Sequence, residues 1–173
     1  MTLTKEQIAQ IMPHAGSRIA TFLPWLNKYM AAHGIDNRMR VCHFLAQIAH
    51  ESGELRYTKE LASGKQYEGR RDLGNVKPGD GVRFKGRGLI QITGRYNYSL
   101  ASKAADVDFL THPELLETPQ WATWSACWYW GKKGLNPMAD RDELTNITKR
   151  INGGTNGLQD RLKYLGRAKR AIK

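Results

Sequence analysis

The chain has 173 residues, 40% of them apolar, with 27 Lys and Arg against 16 Asp and Glu, a formal net charge of +11. Five Trp, seven Tyr and four Phe supply a core for one compact domain spanning residues 1–173. That excludes wholesale disorder, and no run approaches the roughly 18 to 20 apolar residues of a membrane-crossing helix.

Thr4 with Gln7 three positions on is a capping-box signal, predicting a short helix that Pro13 closes. A second helix begins near Gly16, where Ile19, Phe22, Leu23, Leu26 and Met30 keep a period near 3.6, with Pro24 bending it and Gly34 stopping it. Asp36 is placed to cap a third, whose stripe of Val41, Cys42, Leu45, Ile48 and Ala49 faces the core up to Ser52-Gly53. Residues 64 to 94 hold eight of the seventeen glycines, with seven basic and three acidic residues between Lys65 and Arg87. This predicts an ordered functional loop with at most one short hairpin. Thr118-Pro119 opens the next helix, in which Trp121, Trp124, Cys127 and Trp128 fall at helical spacing and read, with Trp130, as core. Asp140 with Glu143 opens another through Leu144, Ile147 and Ile151, stopped at Asn152-Gly153-Gly154. The last runs from about Leu158 with Leu158, Leu162, Leu165 and Ile172 on its inner side. The expected fold class is mainly α.

Positive charge in surplus points to a polyanionic partner: nucleic acid, anionic lipid or an anionic cell wall. Cys42 and Cys127 are too few for a disulfide framework and read as reduced core residues. The first thirty residues lack the basic start, apolar block and cleavage site of a secretory leader.

The informative segment is Ala46-Gln47-Ile48-Ala49-His50-Glu51-Ser52-Gly53, which sets an acid at the end of a core-facing helix. Apolar surroundings keep a carboxyl protonated near neutrality, the condition of a general acid. A zinc-protease motif would need a second His where Glu54 stands, Gly86-x-Gly88 misses a dinucleotide fingerprint, and His43 with His50 lacks further metal ligands. A glycosidase needs a second carboxylate, and Glu54, Glu60, Glu68 and Asp72 are near. On one continuous helix Glu51 and Glu60 would lie about 13.5 Å apart on opposite faces. If the chain doubles back after Gly53, the two can reach the roughly 6.5 to 9.5 Å that admits a water and gives inversion. Glu54 would instead suit a closer, retaining pair if the helix continued.

Phe44 to Gly53, Arg71-Asp72-Leu73-Gly74-Asn75, Phe84-Lys85-Gly86-Arg87-Gly88-Leu89-Ile90-Gln91-Ile92-Thr93-Gly94-Arg95-Tyr96-Asn97-Tyr98 and Ile151-Asn152-Gly153-Gly154 resemble the ordered blocks of glycoside hydrolase family 19. The resemblance spans about residues 40 to 165. It implies an α-rich, two-lobed lysozyme-like fold and an activity drawn from chitinases and phage endolysins. Ile11-Met12-Pro13-His14-Ala15-Gly16 is closer to the phage and bacterial branch. Position by position, it implies Glu51 as general acid, Glu60 as general base and Thr93 as the hydroxyl holding the attacking water. Gln91, Asn97 and Asn152 match sugar-contacting positions, and Arg161 a basic residue supporting the carboxylates within the binding groove. Thr155-Asn156 follow Asn-Gly-Gly where plant members carry a Glu of the same charge network.

The expected function is therefore an inverting endolysin, a monomer needing neither metal nor cofactor, that cleaves β-1,4 bonds in the glycan strands of peptidoglycan. It would be made in the host bacterial cytoplasm and released to the wall by a separate permeabilising protein. Its basic last helix is placed to touch anionic envelope lipid. Chitinase is the alternative within the family. A nucleic-acid-binding module is the alternative from another class, supported by charge but by no recognition helix, zinc-finger spacing or aromatic-basic sheet motif.

Overall fold

Local capping decides where the chain enters its helices. In the computed structural model, which describes residues 1–173, α1 (Lys5–Ile11) opens on the expected capping box between Thr4 and Gln7. Next comes α2 (Arg18–Ala32), with Pro24 inside it. The third helix, α3 (Arg38–Glu51), is capped by Asn37, whose side chain accepts from the Arg40 amide, rather than by Asp36. Asn37 holds the extended backbone that a cap requires, whereas Asp36 lies one residue too early and turns to Arg40.

Every residue of α3 from Val41 to Ala49 is buried, so this helix is the axle of the molecule rather than an amphipathic surface element. It packs on α9 (Leu158–Ala171) and α7 (Asn136–Asp140), while α2 packs on α6 (Pro119–Lys132) and α1 on α9. Thr118 caps α6 and Pro119 takes its first turn, as expected. Phe44 of α3 meets Trp130 of α6 edge to face at 5.4 Å, an arrangement worth about 0.5–1.5 kcal/mol beyond the area it buries. One apolar cluster runs from Leu3 to Ile172 and includes Cys42 and Cys127, both free thiols.

The glycine-rich stretch is ordered from within. It contains α4 (Asp80–Arg83), two 3-10 turns and two isolated antiparallel bridges, Lys59 with Arg87 and Arg87 with Ile92, and no sheet. Buried Asn75 ties it down, donating to the Tyr67 carbonyl at 2.9 Å and accepting from the Arg95 amide at 2.8 Å. Asp80 pairs with Arg95 at 2.6 Å, and the Glu68 carboxylate accepts from the Gly79 and Gly81 amides.

The structure adds one helix and corrects two further expectations. A helix the sequence pattern did not announce, α5 (Arg95–Ala105), follows Gly94 directly; it has no side-chain cap and buries only Tyr98 and Ala101, too sparse a stripe to register. Asp140 does not open a helix: it ends α7 and holds Arg40 and Asn37, so α8 (Leu144–Asn152) starts after Glu143 without a side-chain cap. On α9 the expected Leu165 and Ile172 are buried and Leu158 packs on the core, but Leu162 is 50% exposed and the inner face is completed by Arg161, Tyr164 and Ala168. The helix is turned by what it must reach, because Arg161 has its partners on α3.

Candidate active site

The end of α3 and the turn after it place both candidate carboxylates. Gly53, Glu54 and Leu55 have φ of 57°, 58° and 66°, a left-handed run that only glycine adopts without strain. Buried Ser52 holds the turn: its hydroxyl donates to the Ile48 carbonyl and accepts from the Leu55 amide at 2.8 Å, and its carbonyl accepts from Arg56 and Tyr57. Thus the chain does double back after Gly53. It is then pinned to the glycine-rich segment by Gly88 N to Thr58 O at 2.8 Å and Glu60 N to Gly86 O at 2.9 Å.

Glu51, the last residue of α3, accepts at Oε1 from Arg161 Nη2 at 2.7 Å. Its side chain keeps 26% exposure, so the apolar setting expected for it is replaced by an ionic one. Arg161 is itself fully buried, and its other terminal nitrogen donates to Gln47 Oε1. It therefore cannot line a groove or touch a sugar; it holds Glu51 from behind, without any acid after Asn152-Gly153-Gly154. His50 and His43, the pair weighed as ligands, turn to Asp160 and Asp142 at 2.8 and 2.7 Å.

Glu60 accepts at Oε2 from the Tyr67 hydroxyl at 3.0 Å, while its Oε1 is buried without a partner. Burial and the Glu60 carboxylate together push the Tyr67 phenol above its ordinary value, so it stays a donor. Gly86 is needed here for space. A Cβ at that position would stand 3.2 Å from Glu60 Oε2 and 2.7 Å from Gln91 Oε1, so the bare backbone lets these two side chains share one spot.

Gln91, Thr93 and Asn97 line one cleft of about 250 Å³ together with Trp128 and Tyr129. Neither carboxylate is in its lining: Glu60 stands beside Gln91, and the Glu51 charge acts on Tyr129, whose phenol is pushed up by burial and by that charge. Asn97 donates to the Thr93 carbonyl at 2.8 Å, which leaves its amide oxygen for a ligand. Asn152 is not brought to this cleft. It is exposed at the end of α8 and donates to the Asn156 carbonyl at 3.0 Å. Trp128 and Tyr129 were missed: the tryptophan stripe reads as core, and Trp124 and Trp130 are buried, but Trp128 stacks on Trp124 at 5.8 Å and stays half-buried at the cleft. A half-buried aromatic beside polar groups suits an apolar sugar face. The signal available was two adjacent aromatics, Trp128 and Tyr129, at the end of a helix whose other face was already filled.

The other carboxylates are occupied. Asp72 pairs with Arg70, and Glu68 holds backbone amides. Glu54 is 4% exposed; its Oε2 accepts from the His14 amide, and its Oε1 meets His14 Nδ1 at 3.1 Å and the Tyr164 hydroxyl at 2.8 Å. With both oxygens engaged, Glu54 ties the N-terminal segment to α9 and is not placed for a retaining mechanism. Burial alone would push its pKa up, but the His14 and Tyr164 hydrogen bonds outweigh it and hold the carboxyl below its ordinary value. Glu54→Gln is therefore expected to lower stability by about 2 kcal/mol at neutral pH while sparing turnover. Because the folded value is depressed, this contribution is full above the unfolded value of about 4.3 and is lost as pH falls through the folded one. Urea melts of both proteins at neutral pH and near pH 3 check this, since the gap should close in acid; a gap independent of pH would show a packing defect only.

Known proteins resemble this chain over much of its length. The family profile described as chitinase class I matches residues 28–146. A glycosyl hydrolase family 19 domain-containing protein of Haemophilus influenzae is 28% identical over 194 residues, covering 94% of each chain. Endochitinase At2g43620 of Arabidopsis thaliana is 34% identical over 134 residues, 77% of this chain and 46% of that protein, so this chain spans about half the length of such plant relatives. Chitinase C from Streptomyces griseus superposes with a TM-score of 0.80 at 21% identity over 99% of this chain and 76% of that one. The class IV chitinase from Zea mays gives 0.66 at 17% identity, over 98% of this chain and 81% of that one. The α-rich lysozyme-like fold is shared with both.

Proposed function

The chain belongs to glycoside hydrolase family 19 and is a glycosidase, and from that premise we propose that it cleaves β-1,4 bonds in peptidoglycan glycan strands by inversion, as an endolysin. The observation that supports the chemistry is that Glu51 and Glu60 are each held by a partner at one oxygen, Arg161 and Tyr67, with Glu60 beside Gln91 of the cleft lining. In this reading Glu51 protonates the leaving oxygen. Glu60 takes the proton of a water that attacks the opposite face of the sugar. Nothing in the step calls for a metal or cofactor, because both proton transfers and the nucleophile are supplied.

Thr93, half-buried in the same cleft, would orient that water. Thr93→Ala is expected to lower turnover by up to about 10²-fold with little change in melting temperature, and Thr93→Ser to be mild. Steady-state rates on a soluble glycan oligomer check this. Equal activity of the Ala variant would reduce Thr93 to a loop residue.

Peptidoglycan is preferred to chitin as substrate because the net charge of +11 suits an anionic meshwork. The exposed Lys163, Arg170 and Lys173 on and after α9 would add attraction to the envelope, whereas Lys169 is spent on Asp142 at 2.5 Å. Release from the host cytoplasm by a permeabilising protein belongs to the same reading. Chitinase is the second reading, favoured by the likeness to endochitinases. Digesting purified peptidoglycan and chitin side by side, with mass spectrometry of the products, separates the two. Muropeptide release supports the endolysin, and its reducing-end sugar names the bond cut. Chitin oligomers alone would favour the chitinase.

A further inference from the structure

At one edge of the cleft α6 ends in Lys132 and Lys133, and both line the cavity beside Thr93 and Asn97. Lysines at a helix C-terminus commonly serve its carbonyls, but here the ammonium groups lie over aromatic rings. Lys132 Nζ is 5.0 Å from the Trp128 ring centre, and Lys133 Nζ is 5.5 Å from that of Tyr129. These are cation–π distances, which hold the two charges above the cleft's own aromatic wall. Neither forms an ion pair with a carboxylate, and burial together with the like charge of Lys133 lowers the pKa of Lys132. A third cation, Arg150, reaches in and donates to the Lys133 carbonyl at 3.4 Å. Like charges gathered at a cleft edge repel one another, and that cost is offset when an anion arrives with the ligand.

We infer that Lys132 and Lys133 form a carboxylate-recognition edge that selects glycan strands bearing acidic peptides over uncharged ones. The inference rests on the peptidoglycan reading above and deepens it. Chitin presents only hydroxyl and acetamido groups, so it offers this edge no charge. Peptidoglycan carries, on alternate sugars, peptides whose free carboxylates project sideways from the strand, and a sugar bound at Thr93 and Asn97 brings such a peptide beside both ammonium groups. Lys132 and Lys133 are thus specificity residues. They face the substituent, and the bond is cut elsewhere, by Glu51 and Glu60.

The test compares kcat/KM on native peptidoglycan, on the same material with its carboxylates amidated by carbodiimide and ammonia, and on a neutral N-acetylglucosamine oligomer as reference. Wild type is expected to lose about tenfold on amidation, the size of two partly exposed charge contacts. In Lys132→Gln/Lys133→Gln the native-to-amidated ratio should fall to near unity, and in Lys132→Arg/Lys133→Arg it should persist. Matched thermal melts establish that both variants are folded. A wild-type ratio near unity, or a Gln variant that keeps the wild-type ratio, overturns the inference and leaves the peptidoglycan reading standing. Cleavage of the neutral oligomer with no muropeptide release from either wall preparation overturns both.

Discussion

Glu51→Gln is expected to lower turnover by about 10² to 10⁴, the usual contribution of a general acid, because no other carboxyl near the cleft is free to protonate the leaving oxygen. Gln is isosteric and can still accept from Arg161, so the chain should fold. It should nonetheless lose roughly 1–3 kcal/mol, because Arg161 is fully buried and the lost charge was its only ionic partner. A fold of ordinary stability, about 5–15 kcal/mol, absorbs that. The measurement is a single-turnover rate on a defined glycan oligomer beside a thermal melt. More than a tenth of wild-type activity in the folded variant would remove Glu51 from the acid role, and an unchanged melting temperature would show that Arg161 does not depend on it.

Glu60→Gln is expected to be nearly as damaging in rate, again about 10²-fold or more, but with less cost in stability. The Tyr67 hydroxyl can donate to an amide oxygen as it does to Oε2, and Glu60 has no buried cation to leave unpaired. The loss would fall on proton uptake, because an amide cannot take the proton of an attacking water. Proton NMR of the newly formed sugar end should show the inverted anomer from the first minutes of wild-type reaction. A retained anomer would overturn the assignment of Glu60 as base. The other nearby carboxylates then offer no easy substitute, since Glu54 is bound at both oxygens and Asp72 is held by Arg70.

Where the sequence was legible, the forces are local. The Thr4–Gln7 capping box and the Thr118-Pro119 start are decided by hydrogen bonds within three residues, so residue order alone determined them. The mainly α class, the buried thiols, the ordered glycine-rich segment and the family blocks were equally open to reading. The chain's return after Gly53 was legible only as a condition. Its left-handed run through Glu54 and Leu55 is imposed by Ser52 and by the contacts Glu54 makes with His14 and Tyr164. Tertiary structure alone decided the setting of Glu51. Its neighbour is Arg161, which also bonds Gln47 across 114 residues, and that one demand turns α9 so that Leu162 faces solvent and Tyr164 faces in. Tertiary structure likewise separated Trp128 from Trp124, because helical spacing groups these two with Trp121 while only packing and the cleft show which faces are already filled. A cap or a turn is a short-range bond that composition reveals, whereas a site is made where distant segments must satisfy one another's charge and volume.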